Sequence, residues 1–486
     1  MTDSNSNYSD LPLGWKIVQL QDIAEINPKL PYTDLDDSLT VSFLPMASVE
    51  EVSGKYDLSQ TRLYGEVKKG YTAFINGDII FAKITPCMEN GKIAIVENLQ
   101  NGIGFGSTEF HVSRIKLGLN KRYLFYYFTQ ASFKREARRN MTGSAGQLRV
   151  PKKYFESVEI PLPPLPEQHR IVEKIEELFS ELDNGVASLK KALEQLKTYR
   201  QAVLKWAFEG KLTEKWRNTH QDSLEDGDTL LEQIKAERKR HYQQQLEDWK
   251  QALKEWENNG KETKKPTAPR KQEYYSPLKQ EETNKLWKIP DKWTWEKVGN
   301  ICQSIVPNRD KPKSFSGNIP WITTPDIDSD LITLKLLPNH LGLNINEVEL
   351  YNARVIPKNS VIMTCVGSFG IVCINTISCV INQQLHAFMT HSYINNKYLA
   401  YALKIQQSWM EKKSTSTTVV YLNKTNSNSV PIPLCSLQEQ TKIVQEIESR
   451  LSICDQLEAT LTENLDKAEA LRQSILKRAF EGKLVL

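Results

Sequence analysis

The 486-residue sequence lacks the long apolar runs from which membrane-spanning helices are built. No stretch approaches the roughly 18 consecutive apolar residues of a membrane-spanning helix. The first ten residues, MTDSNSNYSD, are polar and contain no basic segment followed by an apolar one. We therefore expect a cytoplasmic protein without membrane contact. Its length suggests about three domains.

Cysteine is sparse and scattered, with seven residues and no CxxC pair. A zinc site requires clustered ligands. The closest group, Cys365, Cys373 and Cys379, lies in an apolar, strand-like stretch. This pattern predicts buried free thiols in a reducing compartment, and neither disulfides nor a metal site.

Motifs for nucleotide binding are also missing. A phosphate-binding loop needs Gly-Lys followed by Ser or Thr, and none of the four Gly-Lys pairs in the chain has this continuation. The dinucleotide fingerprint GxGxxG is absent. The glycines of GIGFGST (102–108) are spaced differently, and we interpret this segment as a turn.

Catalytic constellations are absent as well. A DNA methyltransferase would carry an Asn/Asp-Pro-Pro-aromatic motif, which the chain does not contain. PDIDSD (325–330) has acidic residues but no suitably placed lysine for a metal-dependent nuclease, and it favours a turn or a helix cap. The histidines show no metal or triad spacing. The sequence thus predicts a non-catalytic chain without a cofactor or metal of its own.

A strong net charge is lacking too, since 63 basic and 59 acidic residues give +4. The distribution is more informative. Residues 111–153 contain 11 Lys/Arg and one acid, whereas residues 385–427 contain five and one. Such a local excess favours contact with a phosphate backbone. The alternative is a basic surface that only keeps the protein soluble.

The most informative feature that is present is an internal repeat. Residues 160–212 align without a gap to residues 432–484, with 25 identities in 53 positions, and both copies end in RQxxLKxAFEGKL. LPLGWKIVQLQDI (11–23) resembles IPDKWTWEKVGNI (289–301). The bodies between these segments differ greatly in sequence.

Each repeated segment carries helical periodicity. Apolar residues recur mostly every three or four positions, as in Ile175, Leu178 and Leu182, with an irregular step near Gly185. A helix over 167–206 would be roughly 60 Å long and could not bury its stripe alone. We predict that the two copies pack on each other antiparallel. The alternative is two amphipathic helices in separate cores.

Both bodies combine strand-like and helical stretches. Candidate strands of the first body are 77–84, 92–98 and 109–115, and residues 122–139 have helical periodicity. In the second body, KSTSTTVVYLNK (413–424) parallels TGSAGQLRVPKK (142–153). The charged stretch 213–288 favours a solvated helix and a loose linker, with weak contact to a DNA backbone as a second interpretation.

Together these features resemble the specificity subunits of type I restriction–modification systems. The resemblance covers essentially the whole chain. It depends on the two Pro-x-x-Trp-like starts, on IPLPPLPEQHRIV and IPLCSLQEQTKIV, and on RQAVLKWAFEGKLTEKWR. GDIIFAKITPCMENGKIA, GFGSTEF and VIMTCVGSFG…NQQ add to it. Cys435 and Ser436 depart from the paired prolines of the first copy.

The resemblance implies a mixed α/β (α+β) fold with a pseudo-twofold internal repeat. Two target-recognition domains would be joined by two long repeated helices that pack as an antiparallel coiled coil. The expected domains are a first target-recognition domain (1–158), a first spacer helix (159–212), a charged helical linker (213–288), a second target-recognition domain (289–431) and a second spacer helix (432–486).

The resemblance also implies partners. Each recognition domain would bind one half of an asymmetric, bipartite target in double-stranded DNA. The paired helices would set the gap and dock two modification (methyltransferase) subunits. Restriction subunits, which are ATP-dependent translocases and nucleases, would complete the complex. S-adenosylmethionine and ATP with Mg²⁺ are expected on these partners.

The predicted DNA-contacting residues are polar or basic residues in turns and at strand ends, the types that pair with base edges and phosphates. For any one of them an ordinary structural role is an open alternative. They are Lys83, Thr85, Lys92, Ser107, Thr108, Gln147, Arg149 and Lys152 in the first body, and Thr364, Ser368, Gln383, Gln384, Thr417, Tyr421 and Lys424 in the second.

Two other functions remain open from the sequence. The chain could be a non-catalytic scaffold that binds only proteins, although the local basic excess disfavours this. An autonomous endonuclease or methyltransferase would require the motifs that are missing. Salt-dependent DNA binding separates the first alternative from DNA recognition.

Overall fold

The computed structural model describes residues 11–144, 146–262, 265–269, 273–307, 311–336, 340–414 and 420–485. The described residues form two compact units. The first unit contains residues 11–193 and 459–485, and the second contains residues 194–458. Each unit therefore includes parts of both copies of the repeated helix.

In its described residues, the first body is built from ten strands and several short helices, followed by the first long helix. Two four-stranded sheets have the orders β2-β9-β6-β7 and β4-β3-β8-β5, and β1 pairs with β10. The elements are β1 (Lys16–Gln19), α1 (Leu20–Ile23), β2 (Ala24–Ile26), β3 (Thr40–Leu44), β4 (Thr61–Leu63), α2 (Tyr64–Val67), β5 (Thr72–Ile75), β6 (Ile79–Ala82), β7 (Ile93–Ile95), β8 (Ile103–Gly106), β9 (Phe110–Ile115), α3 (Lys121–Thr129), α4 (Ala131–Arg139), α5 (Lys152–Glu156), β10 (Glu159–Leu162) and α6 (Leu165–Phe208).

The described residues after α6 form three linker helices, a second body and the second long helix. Its sheets have the orders β12-β19-β16-β17 and β14-β13-β18-β15, and β11 pairs with β20. The elements are α7 (Glu214–Thr219), α8 (Gly227–Asn258), α9 (Gln280–Thr283), β11 (Thr294–Lys297), α10 (Val298–Ile301), β12 (Gln303–Ile305), β13 (Ile319–Ile322), β14 (Gly342–Leu343), α11 (Ile345–Leu350), β15 (Val355–Ile356), β16 (Val361–Thr364), β17 (Val372–Ile374), β18 (Cys379–Ile381), β19 (Leu385–Met389), α12 (Asn396–Lys404), α13 (Gln407–Lys413), α14 (Lys424–Asn428), β20 (Pro431–Leu434) and α15 (Leu437–Phe480).

The two bodies share one topology although their sequences differ. Corresponding strands follow in the same order, and each body has one parallel pair, β3 with β8 and β13 with β18. The registers also correspond, because Phe81 lies opposite His111 as Met363 lies opposite His386. The internal repeat therefore includes the bodies. This confirms the mixed fold with an internal repeat.

The segment GIGFGST is not a turn, contrary to the interpretation from its glycines. Ile103–Gly106 is the buried strand β8, between β3 and β5. A Cβ atom on Gly104 would lie 2.2 Å from the ring of Phe74, and one on Gly106 would lie 2.4 Å from the carbonyl oxygen of Leu44. Glycine is present here because neighbouring groups approach the strand closely.

In the first unit, the beginning of α6 packs antiparallel to the end of α15. Ile171 and Ile175 share a core with Ile475 and Phe480. Further along α6, Asp183 forms an ion pair with Arg472, whose guanidinium lies 4.4 Å from the ring centroid of Phe179. The partner position on α15 falls as the position on α6 rises, which defines the antiparallel direction.

The second unit contains the corresponding arrangement. Arg200 of α6 forms ion pairs with Asp455 (2.6 Å) and Glu458 (2.8 Å) of α15. Phe208 lies in one core with Ile443 and Ile447. Arg200 and Asp455 are the repeat equivalents of Arg472 and Asp183, so one ion pair recurs in both units. Helix α6 continues through Gly185.

The starts of the long helices are fixed to the bodies by matching contacts. Trp15 donates from Nε1 to Glu167 (3.1 Å), and Trp293 donates to Glu439 (2.9 Å). Glu439 is buried and also accepts from Arg217 at 2.7 Å. This explains why the Trp-containing starts repeat together with the helices.

The linker helix α8 is packed against the second body along its first turns. Leu230, Ile234 and Arg238 are buried, and Arg238 donates to the carbonyl oxygens of Gly299 and Asn300 at the end of α10. In the first unit the equivalent carbonyls, of Gln21 and Asp22, accept from Lys116.

In the second unit, the cationic side chain that contacts these carbonyls is Arg238, which comes from the linker. In the first unit it is Lys116, which belongs to the first body itself. The strand register explains the difference. Arg114 lies opposite Glu25 as Met389 lies opposite Gln303, so position 391 is equivalent to position 116. His391 stands there, and burial lowers its pKa, which favours the neutral form.

We expect Arg238→Ala to release α8 from the second body, because the carbonyls of Gly299 and Asn300 lose their charged donor. Hydrogen exchange over residues 227–240 and 296–302 should accelerate about tenfold. The double variant with His391→Lys should recover much of the protection. Arg240→Ala, at an exposed position of the same helix, is the control. Unchanged exchange in Arg238→Ala would show that the contact does not hold α8.

Candidate nucleic-acid interface

Three loops of the first unit are joined by backbone hydrogen bonds near the end of β6 and the start of β9. The backbone amide of Lys83 donates to the carbonyl oxygen of Glu109 (2.9 Å), and that of Val150 donates to the carbonyl oxygen of Lys83 (2.8 Å). The amide of Thr85 donates to Leu148 at 3.0 Å. We call residues 83–85, 107–109 and 147–150 the first loop junction.

The second unit contains the same backbone arrangement. The backbone amide of Cys365 donates to the carbonyl oxygen of Gln384 (2.8 Å), and that of Leu422 donates to the carbonyl oxygen of Cys365 (2.8 Å). The amide of Gly367 donates to Val420 at 3.0 Å. We call residues 365–368, 382–384 and 420–422 the second loop junction.

Six of the eight predicted residues of the first body lie in the first loop junction. Thr108 and Gln147 are exposed, and Ser107 accepts from the amide of Glu109 at 3.2 Å. The Thr85 hydroxyl donates a hydrogen bond to the carbonyl oxygen of Leu148 and accepts one from its amide, which fixes the loop. Lys83 is half-buried, and this burial lowers its pKa.

Two predicted residues of the first body lie outside the junction. Lys92 donates from Nζ to the carbonyl oxygen of Met46 at 3.1 Å, and its backbone forms an isolated antiparallel β-bridge with Glu51. Lys152 begins α5, is exposed, and pairs with Glu156 at 3.3 Å. Lys152 is accessible from solvent, whereas the ammonium of Lys92 is already used within the fold.

The second loop junction contains four of the seven residues predicted in that body. Ser368, Gln383, Gln384 and Tyr421 are exposed. Gln384 accepts from Thr324 at 3.1 Å.

The other three predicted residues differ in position. Thr364 is fully buried, and its hydroxyl donates to the carbonyl oxygen of Ser368 (2.6 Å), which holds the turn. Lys424 is paired with Glu273 at 2.5 Å. Thr417 lies outside the described residues. For all fifteen residues, DNA contact stays a prediction.

Arg149 is the most constrained side chain of the first loop junction. It donates from Nε and Nη2 to the carboxylate of Glu109 at 2.8–3.1 Å and from Nη1 to the carbonyl oxygen of Gln147 at 3.1 Å. The Arg149 guanidinium lowers the pKa of Glu109, which stays ionised. Sequence reasoning missed Glu109, and the only signal for it was the acid that directly follows GST in GSTEF.

The basic stretch 111–153 offers less free charge than its composition indicates. Six of its eleven basic residues pair with acids from outside the stretch. These pairs are Arg114 with Asp78, Lys121 with Glu97, Arg122 with Glu176, Arg138 with Glu89, Arg149 with Glu109, and Lys152 with Glu156. Any attraction for phosphates therefore comes from a few positions.

His111 connects the strand β9 to the first loop junction. The Asn27 amide nitrogen lies 3.2 Å from Nδ1, and Nε2 lies 2.8 Å from the carbonyl oxygen of Val150. Because the Asn27 oxygen already accepts from Val112, its nitrogen is the donor. The ring is therefore neutral and donates from Nε2. Burial lowers the pKa of His111 to about 4.

Other site types find little support in the described ranges. They contain no group of three or more His, Cys, Asp or Glu that could hold a metal ion. Their seven cysteines are free, and all but Cys87 are buried, as predicted for structural thiols. No helix in the described part of the chain is long and apolar enough to cross a bilayer.

We expect the neutral state of His111 to make the first unit acid-sensitive. Its folded pKa of about 4 lies below the ordinary 6.5, so the unfolded chain binds a proton first as the pH falls. The contribution is complete above about pH 6.5 and is lost towards pH 4, by on the order of 3 kcal/mol. Urea unfolding probed by hydrogen exchange over β9 should detect it. In His111→Gln the loss between these pH values should be smaller, and an equal loss would contradict this assignment.

Curated relatives from Escherichia coli resemble the chain over nearly its whole length. The specificity subunit of the type I restriction enzyme EcoEI is 29% identical over 96% of this chain and 83% of its own length. The EcoAI specificity subunit is 30% identical over 92% of this chain and 79% of its own length.

Solved structures share the fold. A chain from a study of complex assembly and conformational transition in a type I restriction–modification system superposes with a TM-score of 0.68, at 20% identity, over 98% of this chain and 99% of that one. The HsdS subunit from Thermoanaerobacter tengcongensis gives a TM-score of 0.58 at 18% identity, over 99% of this chain and all of that one.

A family model matches both halves of the chain, at residues 12–196 and 290–467. The matched ranges contain both loop junctions and most of the repeated helices. Together with the relatives, this match shows that the chain belongs to the family described as the type I restriction modification DNA specificity domain.

Proposed function

We propose that this chain is the DNA sequence-recognition subunit of a type I restriction–modification complex. Each loop junction would bind one half of a bipartite target. The observation that carries this proposal is that the same set of backbone hydrogen bonds occurs in both loop junctions, whereas the side chains at equivalent positions differ.

The differences between the junctions are chemical. Lys83, Glu109 and Arg149 of the first are replaced by Cys365, Gln384 and Tyr421 in the second. Arg, Glu and Gln are residue types that distinguish base pairs in the major groove. Two frames with different side chains would bind different sequences, which predicts an asymmetric target.

The long helices would provide the spacing and the partner contacts. Each has 44 residues, or about 66 Å at 1.5 Å per residue. The ion pairs Arg472–Asp183 and Arg200–Asp455 fix the helix register within each unit. Exposed apolar residues on the helices suit docking by two modification subunits. They include Leu471 in the first unit and Ile453 and Leu457 in the second.

The chemistry of the complex would belong to other subunits. Modification subunits would bind S-adenosylmethionine and methylate the target. Restriction subunits would use ATP and Mg²⁺ for translocation and cleavage. The chain itself would act as a non-catalytic subunit in the cytoplasm.

The proposal predicts a defined methylation motif in a methylation-free host that expresses this chain with its modification subunit. Methylome sequencing should reveal a split, asymmetric motif that disappears when this chain is omitted. The modification subunit alone is the control. A stable complex of both proteins that methylates no defined motif would contradict recognition and favour a protein-binding scaffold.

Lys152 allows a test of backbone contact. We expect Lys152→Gln to weaken DNA binding of the complex nearly equally for all sequences and to reduce the slope of log K against log salt by about one. Lys197→Gln is the matched control, since Lys197 is also exposed and pairs with a glutamate on its own helix. Identical slopes in the wild type and Lys152→Gln would place Lys152 outside the interface.

A further inference from the structure

We propose that Arg149 recognises a guanine in one half-site and that Glu109 positions it, so that this pair determines the base preference at one position of the target. This inference rests on the proposed function and extends it. It assigns one base type to a named side chain and a positioning role to an acidic residue that composition would place away from DNA.

The argument begins with the unused donors of the guanidinium. An arginine side chain has five N–H groups. Three of those on Arg149 are used, two by Glu109 and one by the carbonyl oxygen of Gln147. One N–H group remains on each terminal nitrogen. A pair of donors on neighbouring nitrogens matches the O6 and N7 acceptors of guanine in the major groove.

The guanidinium is held in place before any ligand binds. Its orientation is fixed by the two-point contact with Glu109, and the backbone of residue 149 is bridged to both Ile84 and Thr142. The Arg149 side chain nevertheless stays 40% exposed. A donor group that is both fixed and accessible loses little freedom on binding.

The surroundings keep the site cationic despite the carboxylate. Glu109 interacts electrostatically with both Arg149 and Lys83. Lys83 in turn interacts electrostatically with Glu109 and Arg149. Two cations therefore accompany one anion at this position. Their excess positive charge attracts the electronegative acceptors of base edges and nearby phosphates.

The second loop junction provides an internal comparison. Tyr421 occupies the position of Arg149, and Gln384 occupies that of Glu109. Gln384 accepts from Thr324 and Asn382, so this junction has a neutral arrangement at the same place. The two half-sites should therefore respond independently to substitutions at positions 149 and 421.

The test uses the full chain with its modification subunit in a methylation-free host. Motifs are compared for the wild type, Arg149→Gln, Glu109→Gln and, as the matched control in the other junction, Tyr421→Ala. We expect Arg149→Gln to make one guanine position degenerate in one half-site only. Glu109→Gln, which is nearly isosteric, should relax the same position. Tyr421→Ala should leave that half-site strict.

A competition experiment gives a second readout. Duplexes with guanine or another base at the affected position compete for the purified complex. The wild type should prefer guanine by roughly 10-fold or more, and both Arg149→Gln and Glu109→Gln should bring this ratio close to one.

The outcomes separate the inference from the proposed function. An unchanged motif in Arg149→Gln would overturn the inference and leave the function intact. An equal loss of methylation at all sites with the motif preserved would show a merely structural role and would also overturn it. If Arg149→Gln does not fold, Glu109→Gln decides by the same criteria. A wild type without any motif would overturn the proposed function and this inference together.

Discussion

The antiparallel packing of two long repeated helices is the constraint on which the rest of the structure depends. Each helix has 44 residues and an amphipathic stripe that it cannot bury alone. In each unit, one helix contributes its beginning and the other its end. The ring centroids of Phe480 and Tyr123 lie 4.9 Å apart in the first unit, and those of Phe208 and Tyr398 lie 5.2 Å apart in the second. The core of each body is therefore completed by a helix end from the distant copy.

The loop junctions show how one fold can carry two different surfaces. Their backbone hydrogen bonds recur in both units, whereas the side chains at equivalent positions differ in charge and shape. The partly buried Thr85 and the fully buried Thr364 use their hydroxyls to hold the loops, whereas exposed neighbours differ between the two junctions. Family membership and this separation of frame from surface both favour sequence recognition.

Much of the candidate site followed from residue type and position, but its electrostatics did not. Turn and strand-end residues such as Gln147 and Gln384 are exposed in the junctions, as their sequence context suggested. Arg149 is paired with Glu109, which is 40 positions away, and Arg114 is paired with Asp78. A count of charges along a segment cannot include partners that tertiary contacts bring from elsewhere. Glu109 was missed for this reason.

The sequence alone determined the repeat, the long helices and several strands, because these depend on local periodicity and on identity between copies, and it favoured antiparallel pairing of the helices over separate cores. Tertiary structure decided what depends on distant contacts. It revealed the shared sheet order of two dissimilar bodies, the strand at Ile103–Gly106 where Phe74 leaves no room for a side chain, and the anchoring of α8 through Arg238. Strand pairing and close packing join residues far apart in the chain, and local composition carries no record of which residues will meet.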